Sequence, residues 1–132
     1  MAKAKKLKQL GFTMPNRAGL LSEITAAIAG AKVTINSICA YEMENNAHFM
    51  LTTDSNAKAK KALAQLGIEI KEDDVIAIEV PHKAGELHKV AKKIVDAGIN
   101  INYMYGTTGV GKSAIGVFKT SDNTKAVMVI NK

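Results

Sequence analysis

The chain has 132 residues, 47% of them hydrophobic, and its 18 lysines and arginines outnumber 12 acidic residues to give a net charge of +6. This length suits one ordinary domain or two very small ones, and the hydrophobic content excludes a disordered chain. No apolar run approaches the roughly 18 residues that span a bilayer, and a single cysteine, Cys39, excludes an intrachain disulfide and indicates the reducing cytoplasm.

The first half of the chain predicts four strands and two helices. Leu10, Phe12 and Met14 alternate with other residues, as in a strand that buries one face. After Pro15 the apolar residues change to helical spacing, and Gly30 lies near the predicted end of that helix. Further elements are predicted as strands over 33–41 and 47–53, a helix over 57–66 and a fourth strand over 67–72.

The second half repeats the first at an offset of 66 residues. Loop residues and strand residues both recur, in the pairs Pro15/Pro81, Ala18/Ala84, Gly19/Gly85, Ile35/Ile101 and Asn36/Asn102. A match that extends from the loop into the following strand indicates a duplication. Each copy has the order β-α-β-β-α-β, in which two helices cover one face of an antiparallel sheet.

The second copy ends at Lys132, before any counterpart of the strand over 67–72. The sequence therefore predicts an α+β fold of two tandem ferredoxin-like βαββαβ units. The first unit is predicted over residues 1–72 and the second, lacking its last strand, over residues 73–132.

The stretch GTTGVGKS, Gly106–Ser113, matches the phosphate-binding pattern G-x-x-x-x-G-K-[ST]. That pattern binds phosphate where a helix follows it, because the helix N-terminus supplies N–H donors. Here the stretch is followed by AIGVFK, which has the branched and aromatic residues of a strand. We interpret GTTGVGKS as a glycine-rich hairpin and predict no nucleotide site.

The remaining polar residues predict no enzyme, no metal site and no cofactor. His48, His82 and His88 lack metal-ligand spacing, and no second cysteine accompanies Cys39. Serines such as Ser22 have no evident base beside them. The positive charge leaves a nucleic-acid-binding protein open as an alternative, although the tyrosines do not form the aromatic signature of an RNA-reading sheet.

The loop of each copy resembles the ACT domain family. The first copy has Asn16-Arg17-Ala18-Gly19-Leu20-Leu21 and then Val33-Thr34-Ile35-Asn36; the second has His82-Lys83-Ala84-Gly85-Glu86-Leu87 and then Ala97-Gly98-Ile99-Asn100-Ile101-Asn102. Both are similar to the family's N-[KR]-x-G-x-L and G-x-x-I-N-I, over about residues 5–132. Both copies have alanine where the family commonly has proline, and the second has His82 in place of asparagine. We therefore expect the first loop to be the better site.

The resemblance implies a small stand-alone regulatory protein, with no enzyme domain attached, that binds an amino acid or similar ligand at an interface between ACT units. The residues also suit a zwitterion, because a helix N-terminus offers N–H groups to a carboxylate and Asn36 or Asn102 offers an acceptor to an ammonium group. We place the site between loop Asn16–Leu21 of the first copy and strand Asn102–Met104 of the second, with a mirror site from Gly85–Leu87 and Asn36–Ile38. The predicted ligand-binding residues are Asn16, Ala18, Gly19, Leu20, Leu21, Asn36, Ser37, Ile38, Gly85, Glu86, Leu87, Asn102, Tyr103 and Met104.

The predicted function is that of a non-enzymatic cytoplasmic sensor that binds an amino acid and changes its contacts with another protein. A homodimer is expected, because the missing strand leaves a sheet edge that must be covered. No membrane partner is expected. The alternatives are an oligomerisation module without a small ligand and a ferredoxin-like nucleic-acid-binding protein.

Overall fold

The structure, a computed structural model, describes residues 2–108 and 111–132. Its elements follow the order strand, helix, strand, strand, helix twice. They are β1 (Lys3–Pro15), α1 (Leu20–Gly30), β2 (Ile35–Met43), β3 (Asn46–Thr53), α2 (Asn56–Ala64), β4 (Lys71–Pro81), α3 (Glu86–Asp96), β5 (Ile101–Thr108), β6 (Ser113–Thr120) and α4 (Asn123–Asn131).

The chain forms two compact units. The first unit is Lys8–Asp73, and the second unit is Asp74–Lys132 together with the N-terminal residues as far as Leu7. Each has the strands and helices of a ferredoxin-like fold, so the predicted α+β fold class is confirmed. None of the described helices is long and apolar enough to cross a membrane.

In the first unit the strands lie in the antiparallel order β2-β3-β1. Helix α1 buries Leu20, Ile24 and Ile28, which are spaced four residues apart and therefore share one face. Helix α2 buries Ala59 and Leu63 in the same way. The core of this unit consists of Leu10, Phe12, Leu20, Ile24, Ile28, Val33, Ala47, Phe49, Leu51, Ala59, Leu63 and Ile68.

In the second unit the corresponding antiparallel order is β4-β6-β5. Helix α3 buries Val90 and Ile94, and α4 buries Ala126 and Ile130. The core of this unit consists of Ala4, Ile76, Ile78, Val90, Ile94, Ile99, Phe118, Ala126 and Ile130.

The start of β1 completes the second unit. The sequence predicted a strand only around Leu10–Met14, but β1 begins at Lys3. Ala4 is buried in the core of the second unit. Its N–H donates to Oδ1 of Asn131 at 2.7 Å, and its carbonyl accepts from Nδ2 of Asn131 at 2.8 Å. A segment from the other end of the chain thus packs beside α4.

The predicted fourth strand of the first copy is shorter than expected. Of residues 67–72, only Lys71 and Glu72 are in a strand, and β4 continues from them to Pro81 without a break. Gly67 has a left-handed φ of 76°, and the Ile68 N–H donates to the Leu63 carbonyl at 3.4 Å. This N–H therefore closes the end of α2 and does not join a sheet ladder.

Candidate functional site

The two units each present one capped and one uncapped helix. Ser55 caps α2 and Asp122 caps α4, each by accepting a hydrogen bond from a first-turn N–H. Helices α1 and α3 instead follow Gly19 and Gly85, which have φ values of 83° and 88° and no side-chain cap. The first N–H groups of a helix have no intrahelical acceptor. In α1 and α3 the first N–H groups, those of Leu20 and Glu86, donate to the Arg17 and Lys83 carbonyls at 3.3 Å. The N–H groups that follow them in the first turn are the donors offered to an external group.

The loop before α1 is held by its own polar residues. The Asn16 N–H donates to the Asn45 carbonyl at 2.9 Å, and Asn16 Nδ2 donates to Glu42 Oε2 at 3.2 Å. Arg17 forms a bidentate ion pair with Glu23, one turn into α1. Their hydrogen bond raises the pKa of Arg17 and lowers the pKa of Glu23. The loop's cation is therefore already engaged.

The loop before α3 differs in its charges. The His82 N–H donates to the Lys112 carbonyl at 2.7 Å. Glu86 pairs with Lys89 at 2.9 Å, and this hydrogen bond is the main reason that the pKa of Glu86 is lowered. Lys83 forms no ion pair with any residue in the described part of the chain. Its positive charge contributes to lowering the pKa of Glu86, but its ammonium group is not held in a bidentate ion pair as the guanidinium of Arg17 is.

A cleft of about 250 Å³ lies in the second unit beside this loop. Its lining combines buried or half-buried apolar residues with exposed residues from the loop, the strands and α3. The lining is Ile78, Val80, Pro81, His82, Lys83, Leu87, Val90, Gly106, Thr107, Ala114, Ile115, Gly116 and Phe118.

The cleft exists because a glycine replaces an aromatic residue. In the second unit Gly116 is paired with Ile78; in the first, Phe49 is paired with Phe12 at the equivalent position. The Phe12 and Phe49 rings stack with centroids 4.9 Å apart and fill that space. A Cβ added at Gly116 would lie 2.8 Å from Cε1 of Phe118. The ring of Phe118 therefore approaches the backbone more closely than any side chain at 116 would allow.

The predicted site residues of each unit lie at opposite ends of its sheet. In the first unit Pro15, which precedes the loop, pairs with Asn46, whereas Ile35, next to Asn36, pairs with Thr53 at the far end of β3. The second unit repeats this arrangement along β6. Asn36 and Asn102 each fall where the register shifts, in matching bulges of β2 and β5. Within one unit, the loop and the asparagine are therefore not brought together.

The predicted residues also differ in exposure. Leu20 is part of the core and only 3% exposed, so it is a structural residue. Leu21 and Leu87 are 52% and 54% exposed, and Ile38 and Met104 are 39% exposed each, so the two copies present apolar residues at equivalent surface positions. The other predicted residues are exposed or half-buried: Asn16, Ala18, Gly19, Asn36, Ser37, Gly85, Glu86, Asn102 and Tyr103.

The GTTGVGKS stretch joins two antiparallel strands. Its first residues end β5, and Ser113 begins β6, so the strand predicted to follow the motif is confirmed. Gly109 and Val110 lie outside the described residues. The helix N-terminus on which a phosphate cradle depends does not follow the motif.

Sequence analysis did not identify Ile78, Gly116 and Phe118 as site residues. The usable signal was Gly116 itself, because a glycine inside a strand often marks a place where another group approaches the backbone.

Comparison with known proteins supports the ACT resemblance. The protein BT0572 from Bacteroides thetaiotaomicron is 27% identical, with a TM-score of 0.89 over 97% of this chain and 88% of that one. The ligand-free regulatory subunit of aspartate kinase from Thermus thermophilus is 12% identical, with a TM-score of 0.69 over 98% and 94% of the two chains. The structure of the aspartokinase alpha and beta subunits is 16% identical in sequence, with a TM-score of 0.68 over 98% of this chain and 95% of that one.

The last two similarities concern the fold alone. No curated protein is similar enough in sequence to count as a match. The family model described as an ACT domain pair matches residues 5–132. The chain therefore belongs to the family of ACT domain pairs.

Proposed function

We propose that this chain is a non-enzymatic regulatory protein that binds an α-amino acid at an interface between ACT units. Membership of the ACT domain pair family supports a regulatory role, as does a fold shared with the regulatory subunit of an aspartate kinase. The observation that carries the proposal is the N-terminus of α3, which no side chain caps, with Lys83, which forms no ion pair within the described residues, beside it and an apolar cleft next to both.

The chemistry of this loop suits the carboxylate of an amino acid. Free N–H groups and partial positive charge at a helix N-terminus attract an anion. Lys83 adds a full positive charge, whereas the equivalent Arg17 is neutralised by Glu23. For this reason we propose the second loop, Gly85–Leu87, as the stronger site, and the first loop, Asn16–Leu21, as the weaker one.

The ammonium group requires acceptors that the loop's own unit does not bring near. Asn36 and Asn102 have suitable side-chain oxygens, but each lies at the far end of its own unit from the loop. An asparagine from another ACT unit can reach the ligand only where two units meet. The proposed ligand therefore lies between the loop of one unit and the second strand of another.

We further propose that the protein acts as a cytoplasmic homodimer. Ile38 and Met104 are exposed to the same extent on β2 and β5, each of which is paired on one side by β3 or β6. An exposed strand edge with apolar residues is stabilised by pairing with another copy. Sedimentation equilibrium at tens of micromolar protein tests this, since a monomer alone contradicts it.

A thermal-shift panel of the twenty common L-amino acids tests the main proposal. A ligand present at 100 times its Kd raises the unfolding free energy by about 2.7 kcal/mol, which gives a measurable rise in Tm. The best ligand is then compared by calorimetry with its carboxamide, which lacks the anionic group. Lys83→Ala should weaken the binding of the amino acid but not that of the amide, and Lys93→Ala, in the last turn of α3, serves as the control. A flat panel contradicts the proposal.

A further inference from the structure

We infer that the cleft of the second unit selects amino acids with an apolar side chain about the size of leucine. This inference rests on the function proposed above, and it assigns the ligand class. Its basis is the size, the lining and the glycine floor of the cleft, each of which restricts the side chain that can enter.

The size of the cleft limits the ligand to a small one. Pockets for drug-sized ligands measure about 300–1,000 Å³, and this cleft measures about 250 Å³. It is large enough for a side chain of four or so carbon atoms, together with part of the ligand backbone. A bulky double-ring side chain would not fit without movement of Phe118 or Leu87.

The lining favours an apolar side chain. Ile78, Val80 and Phe118 form the interior, and none of the described residues that line the cleft carries a carboxylate or a carboxamide. The polar lining groups, His82, Lys83 and Thr107, lie at exposed positions near the mouth. A polar side chain in the interior would lose its hydrogen bonds to water without gaining a partner.

The floor of the cleft is a pair of glycines. Gly106 and Gly116 are directly paired across β5 and β6, and Ala40 and Phe49 hold the equivalent pair of positions in the first unit. A Cβ at Gly106 would lie 3.1 Å from the Ile115 carbonyl oxygen. In the second unit the floor is thus glycine backbone with the ring of Phe118 against it, where the first unit has the phenyl ring of Phe49. This difference confines the selection to the second unit.

Calorimetry on the full chain with matched pairs of amino acids tests the ligand class. Leucine and asparagine have side chains of similar size, as do valine and threonine, so each pair isolates polarity. Leucine should bind at least about tenfold more tightly than asparagine, and valine should also bind more tightly than threonine. Tightest binding of a polar amino acid overturns this inference but leaves the proposed function standing. Binding of no amino acid overturns both.

Two variants test whether the cleft holds the side chain. Gly116→Val adds a side chain at the floor of the cleft and should weaken the binding of leucine about tenfold or more. Its control is Gly11→Ala, at a strand glycine where an added Cβ would lie 3.8 Å from the Phe49 carbonyl oxygen. Leu87→Ala removes a lining residue that is 54% exposed and outside the core, so the fold does not depend on it. Leu87→Ala should also weaken the binding of leucine about tenfold.

The control for Leu87→Ala is Val95→Ala, which changes an exposed apolar residue on the same helix, away from the cleft. If Gly116→Val fails to fold, as judged by circular dichroism, Leu87→Ala decides alone. Leucine affinity equal to that of the parent in the folded cleft variants overturns the inference.

Discussion

The stacked pair of phenyl rings in the first unit gives the most quantitative prediction. Phe49→Ala removes a side chain that is 3% exposed and whose ring stacks on Phe12 at an interplanar angle of 13°. Replacing a buried phenylalanine with alanine costs about 3–5 kcal/mol, because transfer free energy is lost and a cavity remains. Of this cost, roughly 0.5–1.5 kcal/mol belongs to the ring pair itself. Since domains are stable by only about 5–15 kcal/mol, the loss should be large.

The measurement is urea unfolding, with the midpoint and the slope m fitted separately. The two units could unfold in separate steps, so hydrogen exchange at Leu51, in the first unit, provides a local readout. A double-mutant cycle of Phe12→Leu and Phe49→Leu isolates the coupling of the rings.

A loss below about 1 kcal/mol for Phe49→Ala, at constant m, would refute this reasoning. Surrounding residues would then collapse into the vacated space at little cost. The absence of a ring at Gly116 would in that case not explain the cleft of the second unit.

Three further predictions concern the backbone, pH and nucleotides. Lys32 has a left-handed φ of 60° where the second unit has Gly98, so Lys32→Gly should stabilise the chain by roughly 0.5–1 kcal/mol and Gly98→Ala should destabilise it by about 1–2 kcal/mol in urea unfolding. Arg17 lowers the pKa of Glu23, so this carboxylate stabilises the fold above the unfolded pKa of about 4.3. That stability is lost as the pH falls through the lower folded pKa. NMR titration should show the lowered pKa of Glu23, and its return toward the ordinary value in Arg17→Gln. Magnesium ATP should not bind, because a strand follows GTTGVGKS; micromolar binding that disappears in Lys112→Ala would contradict this.

Most of the fold could be predicted from the sequence, because the repeat supplies each apolar pattern twice. The start of β1 was missed, since Lys3, Lys5, Lys6 and Lys8 hide any alternation and only Ala4 is buried there. Such a strand is stabilised by residues that are distant in sequence, which a local pattern does not contain. Gly30 ends α1, near where the end of the helix was predicted, but Lys32 takes the left-handed position after the helix.

The cleft could not be predicted from the repeat because the offset between the two copies changes by one residue before β6. The offset of 66 holds from Phe12 to Ile78, but the turn into β6 is one residue longer than the turn into β3, so beyond it the offset is 67. At 66, Gly116 aligns with Met50; the strand pairing aligns it with Phe49. The loop residues were predictable because they precede that turn, whereas the space between the strands and α3 depends on residues after it.

The second unit brings together the two ends of the chain. The hydrogen bonds between Ala4 and Asn131 join residues 127 positions apart, whereas Lys8–Asp73 is a continuous segment. Folding slows as contacts become more distant in sequence, so we expect the first unit to form early and the second to close last. Chain ends ordinarily tolerate trimming. Here, loss of the residues before Leu7 would expose the core of a unit encoded mainly at the opposite end of the chain.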